Sequence, residues 1–297
     1  MTLPSFLIIG AMKSGTTTLF EDLATHPDIF EPLDKEPGDL KSDDVLTPEG
    51  RAAYERHFQN CRPGQLAFEA STHYTQMPQW TGAAERARSL LGSDVRVLYI
   101  VREPVSRACS HHRHLVAAGL ETPDMDEAVR INPLLIEYSR YATQLEPWIA
   151  TFGTDQIRVI KFESYITDRA TTAADIQAFL GLEPMPDLVA TGTIANASKG
   201  KMIHTEGSRR VAHAPLYRKI VRPLTPRWLK RAAKRGLMRT AATDVIKPSV
   251  STVQAILDAT EDDVQRIAPL LHPAEPPGGR PWSKADAMSL ARDPETT

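Results

Sequence analysis

Cysteine is almost missing from this sequence of 297 residues: Cys61 and Cys109 are its two examples, far apart and in no CxxC or other metal-ligand spacing. That pattern offers neither a disulfide framework nor a structural zinc site. Long apolar runs are missing as well. No stretch approaches the about 18 residues that a membrane-crossing helix needs. The opening MTLPSFLIIGAMKSG has no basic start, no cleavage site and only the short apolar run from Phe6 to Gly10. The expectation is a cytoplasmic, unanchored protein without a membrane partner. Neither sign of charge is in excess, the formal net charge being -2, whereas gripping a polyanion needs a surplus of Lys and Arg on the contacting face. No nucleic-acid partner is expected, although local basic patches are allowed. Internal repeats and low-complexity tracts are absent too.

What is present is ordinary globular material, 41% hydrophobic and 24% charged, enough to bury a large core. One domain over residues 1–297 is expected, with its core over 5–205, a helical extension over 215–271 and a flexible Pro- and Gly-rich tail from His272. Phe6 to Ile9, closed by Gly10, reads as a buried central strand, and Thr16 to Thr25 as the helix after it. Residues 27–65 carry scattered Pro, Gly and Asp and read as loop, with one helix over Pro48 to Phe58. Leu66 to Glu69 is a second short strand, Trp80 to Leu91 a helix, and Asp94 to Val101 the strongest strand signal. Pro104 suits the first turn of a helix running to about Ala118. An amphipathic helix over Leu134 to Phe152, a strand over Gln156 to Lys161, a helix over Thr171 to Leu180 ended by Gly181, and helices at about 215–236 and 249–271 complete the reading. This alternation predicts an α/β, P-loop-like three-layer fold: a central parallel sheet flanked by helices, with a mostly helical C-terminal region. Its ligands would bind beyond the carboxyl ends of the strands.

The chemistry sits at those ends. Gly10 to Thr18 (GAMKSGTTT) lies between strand and helix. Glycines let successive N–H groups converge on an anion, the helix N-terminus adds partial positive charge, and Lys13 with the hydroxyls of Ser14, Thr16 and Thr17 completes a phosphate site. A nucleoside triphosphatase loop would place its lysine directly after the second glycine; here Thr16 follows Gly15 and the lysine lies inside the loop. The strand ending at Val101 delivers Arg102 where a magnesium-binding Asp would be expected. Arg102 offers a planar fork of donors for a phosphate, and Ser110 lies about two turns into the next helix, where both can face one ligand. Taken alone, Arg102 equally suits an ion pair with Glu103 or Asp94. Arg107, His111, His112 and Arg113 are expected on a solvated basic face of that helix. Glu69, at the polar end of the second strand, can take a proton from an acceptor, and His73 is an alternative base because imidazole titrates near neutrality.

In this combination the sequence resembles the sulfotransferases that use 3′-phosphoadenosine 5′-phosphosulfate (PAPS), in particular the branch of the heparan sulfate N- and O-sulfotransferases and their bacterial relatives. Lys13-Ser14-Gly15-Thr16-Thr17 resembles that family's loop for the 5′-phosphosulfate, and Arg102 through Ser110 its segment for the 3′-phosphate. Phe68-Glu69-Ala70-Ser71-Thr72-His73-Tyr74 is similar to its acidic strand-end motif, which implies Glu69 as catalytic base; Ala70 stands where several animal members have lysine. Lys35-Glu36-Pro37 resembles an early Lys-Glu pair near the active centre, without the usual aromatics after it, and implies Lys35 as a substrate contact. Asn196 to Lys201 is similar to a late segment that closes over the cofactor, implying Lys199, Gly200 and Lys201 as further contacts. Tyr138 to Tyr141 matches a stretch with a mainly structural role.

The resemblance covers about residues 5–205. It implies transfer of a sulfuryl group from PAPS to a hydroxyl or amine of a small-molecule or carbohydrate acceptor, with release of adenosine 3′,5′-bisphosphate (PAP) and no metal. Lys13 would stabilise the charge growing on the leaving oxygen. The competing readings are a metal-dependent small-molecule kinase using Mg-ATP on the same scaffold, and a non-catalytic nucleotide-binding domain.

Overall fold

The computed structural model describes residues 3–32, 34–189, 245–272 and 280–293, together with the backbone of 203–204 and 238–239. Six strands form the main sheet: β1 (Phe6–Gly10), β2 (Ile29–Phe30), β3 (Leu66–Ala70), β4 (Arg96–Val101), β5 (Ile157–Lys161) and β8 (Leu271–His272), while β6 (Ile203–His204) pairs antiparallel with β7 (Met238–Arg239). The main sheet runs β2-β3-β1-β4-β5-β8 with every neighbouring pair parallel.

Parallel sheets covered on both faces demand continuous apolar strands, and β1 and β4 obey: Phe6 to Ile9 and Val97 to Val101 are all buried. Leu7, Ile9, Val97, Tyr99 and Val101 face one layer, formed by α3 (Ala83–Leu91), α7 (Tyr141–Phe152) and α10 (Val250–Ile267), through Leu90, Trp148 and Val264. Phe6, Ile8, Leu98 and Ile100 face the other, formed by α1 (Thr16–Leu23) and α9 (Arg169–Phe179), through Leu19, Leu23 and Ile176. At about 1.5–3 kcal/mol for each large apolar side chain taken from water, these two clusters dominate the stability of the sheet.

Several boundaries depart from those the sequence suggests. The helix expected from Trp80 starts only at Ala83, after Gly82 in the left-handed conformation. The single helix expected over Leu134 to Phe152 is two, α6 (Leu134–Glu137) and α7. The break has a specific cause: the Leu135 carbonyl and the Ser139 hydroxyl both accept hydrogen bonds from the buried guanidinium of Arg107, so the Ser139 N–H bonds instead to Ile136 O. The C-terminal helix stops at Ile267, before Pro269, and the chain then adds β8 to the sheet edge. Strands as short as β2 and β8 carry too little alternation to be read from sequence. The helices α5 (Met125–Ile131) and α8 (Phe162–Thr167) also lie where none was expected.

Residues beyond the sulfotransferase-like stretch are built into the fold. Val253, Ile256 and Leu257 of α10 pack on Val105, Ala108 and Cys109 of α4 (Pro104–Ala117). The helix expected at 215–236 lies outside the described residues.

Candidate active site

The chain leaves β1 toward β3 on one side and reaches β4 on the other, so the carboxyl end of β1 is where a doubly wound sheet opens a crevice. The loop there runs from Ala11 to Gly15 and is stitched to both neighbours: Ala11 N donates to Ile100 O at 2.7 Å, and Thr75 Oγ1 to Ile9 O at 2.9 Å. Gly15 is required twice over. Its φ is +93°, and a Cβ there would come within 2.6 Å of the Phe162 ring, so any side chain would strain the backbone and push the loop off the start of α8. Gly15 is also the N-cap of α1 and has no side chain to engage the first-turn N–H groups, which suits them to an anion.

Lys13 and Thr17 are half-buried at this loop, and Thr16 is buried. The Ser14 hydroxyl is buried with no hydrogen-bond partner among the described residues, an orphaned polar atom inside the candidate anion-binding loop. Lys35, from the irregular segment before α2 (Pro48–Glu55), reaches the same place: its Nζ donates to Thr17 Oγ1 at 2.6 Å and to Glu36 at 3.2 Å.

Across the crevice, at the end of β4, Arg102 brings its Nη1 to 3.4 Å from Lys13 O and lays its guanidinium over the Phe162 ring, 4.8 Å from the centroid. The two candidate anion-binding segments therefore adjoin. Burial lowers the pKa of Arg102, with nearby Glu163 opposing that shift; the group remains a cation at any physiological pH. Among the described residues Arg102 makes no ion pair with Glu103. Glu103 instead caps α4, accepting from Val105 N at 2.9 Å and Ser106 N at 2.6 Å. Ser110 is buried on α4.

The same helix corrects one expectation. Arg107, His111 and His112 are buried, not solvated, whereas Arg113 and His114 are exposed. Arg107 braces the turn between α6 and α7, His111 stacks on Tyr138, and His112 contacts Thr122 O at 2.7 Å. Burial, with Arg107 beside it, lowers the His111 pKa to about 3, so this imidazole is neutral.

At the end of β3 the register sets Glu69 beside Leu7 of β1. Its carboxylate has no exposure. Tyr54 donates to Oε2 at 2.5 Å, and the Tyr74 hydroxyl donates to Oε1. Burial raises the Glu69 pKa, while hydrogen bonds from Tyr54, Tyr74 and Ser71 pull it down. The segment over it is held by Gly38 N donating to Ser71 Oγ at 3.0 Å and Leu40 N to the Tyr74 hydroxyl at 3.2 Å. His73 is half-buried, edge-on to Trp80, which also carries Lys41 Nζ 5.3 Å from its ring centroid. Burial, then Lys41, lowers the His73 pKa.

Lys13, Ser14, Gly15, Thr16, Thr17, Lys35 and Arg102 are thus gathered at one crevice, with Glu69 and His73 on its β3 side. Lys199, Gly200 and Lys201 lie outside the described residues. Sequence reasoning missed Tyr54, which lies within the helix expected over Pro48 to Phe58 but has no local signal pointing its hydroxyl at Glu69, and Glu163, whose signal was present: a carboxylate just past a strand end, as at Glu69. Among the described residues no helix is long and apolar enough to cross a membrane.

A parallel sheet with a glycine-bounded loop after its first strand and an arginine across the crevice defines an α/β protein of the P-loop-like class. Residues 3–220 match the sulfotransferase domain family, and the chain belongs to that family. The kinase reading is correspondingly not favoured. Over 190 residues the chain is 28% identical to heparan sulfate glucosamine 3-O-sulfotransferase 3B1 of Mus musculus, covering 61% of this chain and 47% of that protein. Over 206 residues it is 27% identical to the bifunctional heparan sulfate N-deacetylase/N-sulfotransferase 4 of Mus musculus, covering 61% and 23%. The chain thus spans about half the length of the first relative and about a quarter of the second. Its fold resembles the crystal structure of a sulfotransferase from Alicyclobacillus acidocaldarius, with a TM-score of 0.61 and 24% identity over 94% of this chain and 99% of that one.

Proposed function

We propose that this chain transfers the sulfuryl group of PAPS to a hydroxyl or amine of a small-molecule or carbohydrate acceptor, releasing PAP. The observation that carries the reading is the adjacency of the Lys13 loop and Arg102, joined by the 3.4 Å contact between Arg102 Nη1 and Lys13 O. One ligand with anionic groups at both its 5′ and 3′ positions satisfies both segments. Lys13, the hydroxyls of Ser14, Thr16 and Thr17 and the first-turn N–H groups of α1 take the 5′ side; Arg102 and Ser110 take the 3′-phosphate. A nucleotide without that phosphate leaves the Arg102 donors unpaired, which is the basis of discrimination against ATP. Lys13 stabilises charge on the departing oxygen, as preorganised cations do in a site that excludes water.

Glu69 is the proposed base. A buried carboxylate with a raised pKa, aimed by two hydroxyl donors at a strand end beside the phosphate loop, is what proton abstraction near neutrality requires. Its lack of exposure means that the acceptor must shift the Gly38–Leu40 segment to reach it. His73 is the second candidate, because it is accessible as it stands and its lowered pKa keeps it neutral at pH 7. Lys35, at Thr17, is placed to contact the acceptor or the sulfuryl oxygens.

Calorimetry with PAP, followed by an acceptor screen with labelled PAPS, tests the reading. Binding of PAP without magnesium and transfer of label are expected. Failure to bind PAP together with magnesium-dependent binding of ATP overturns it.

A further inference from the structure

The peptide group between Arg102 and Glu103 is gripped from both sides. Its carbonyl accepts a hydrogen bond from the Tyr141 hydroxyl at 2.6 Å, and its N–H donates to Glu163 Oε1 at 3.0 Å. One residue touches both grips. Trp282 donates from its indole N–H to the other oxygen of Glu163 at 2.8 Å, and its ring lies 6.1 Å from that of Tyr141, centroid to centroid. Trp282 and Tyr141 are both buried. Trp282 is held in turn by Arg280, whose Nε donates to the Trp282 carbonyl at 3.0 Å while its Nη1 binds both oxygens of Glu261 on α10.

Trp282 lies well beyond the stretch that matches the sulfotransferase domain, which ends at residue 220. The geometry points to Trp282 as a positioning residue for the 3′-phosphate site: through Glu163 and Tyr141 it fixes the Arg102–Glu103 peptide, and so the direction in which the Arg102 guanidinium leaves the end of β4. The physical reason is leverage. A peptide group fixed at both its donor and its acceptor cannot rotate, and a guanidinium must be oriented to present two parallel donors to a phosphate. The inference rests on the nucleotide reading above, because it assigns Trp282 to the Arg102 end of that site and not to the Lys13 loop.

Trp282→Phe in the full chain keeps an aromatic ring but removes the indole N–H together with part of the buried ring system, so the comparison of two ligands reads out the lost hydrogen bond separately from the lost packing. Losing one buried hydrogen bond in the support is expected to weaken PAP about fivefold. The affinity for adenosine 5′-diphosphate without magnesium, a ligand lacking the 3′-phosphate, stays unchanged. The loss disappears in an Arg102→Ala background, since a support has no effect once the supported group is gone. A purely structural role lowers both affinities together, or persists without Arg102, and either result overturns the assignment. Should Trp282→Phe fail to fold, Tyr141→Phe, which removes the other grip, carries the same expectation and the same refutation. Wild-type protein that binds no PAP removes the underlying reading, whereas wild-type and variant proteins that bind PAP equally well overturn the role of Trp282 alone.

Discussion

The hydroxyl of Tyr54 donates to Oε2 of Glu69 across 2.5 Å, tying α2 to the end of β3. That hydrogen bond favours the ionised carboxylate and so opposes the burial that raises its pKa. Tyr54→Phe removes it. The Glu69 pKa should then climb further, and the acid limb of the kcat/KM profile should move up by roughly half to one pH unit. A limb that stays in place would show that Glu69 does not control it.

Glu69→Gln is expected to lower kcat by about 10²-fold or more, the usual scale for a lost general base, while PAP affinity holds. His73→Asn should cost much less. These variants are needed because the pH profile alone cannot separate the two candidates: burial moves Glu69 up from 4.5 and His73 down from 6.5, so their limbs converge. The reverse ranking would transfer the base role to His73.

Lys13→Ala should reduce kcat by about 10²-fold or more. The loss should exceed any change in affinity for PAP, in which no sulfuryl group is present. Equal losses in both would reduce Lys13 to a binding contact.

Arg102→Ala should weaken PAP by about 10-fold to 100-fold, the scale for a charged hydrogen-bond partner, with little change for adenosine 5′-diphosphate. Equal losses for the two ligands in calorimetry would remove the 3′-phosphate assignment.

The C-terminal segment should loosen in acid. The Arg280 guanidinium holds the Glu261 carboxyl down at about 2, from an ordinary 4.5. A depressed carboxylate contributes stability that is fully present above its unfolded-state value and is lost as pH falls through the folded one. Thermal melts should therefore show Glu261→Gln less stable than wild type at pH 6, with the gap narrowing between about pH 4.5 and 2. A gap of constant size would mean that the ion pair contributes nothing titratable.

The alternation of the main strands and helices in the first two-thirds of the chain, and the strand-end positions of Lys13 to Thr17 and Arg102, were readable from the residues alone. They depend on local signals: apolar runs in buried parallel strands, glycine where φ is positive, and proline at a helix start. The sequence also placed Glu69 at a strand end, because β3 is continuous with its own apolar pattern. Nothing local marks which side chains meet across the fold. That Tyr54 and Tyr74 seal Glu69, that Arg107 is buried and breaks a helix at Ser139, 32 residues further along the chain, and that Trp282 reaches Glu163 are consequences of packing. Apart from the contact of Tyr74 with Glu69, each joins residues well separated along the chain, and only the closing of the helical layers over the sheet brings their polar atoms within hydrogen-bonding range.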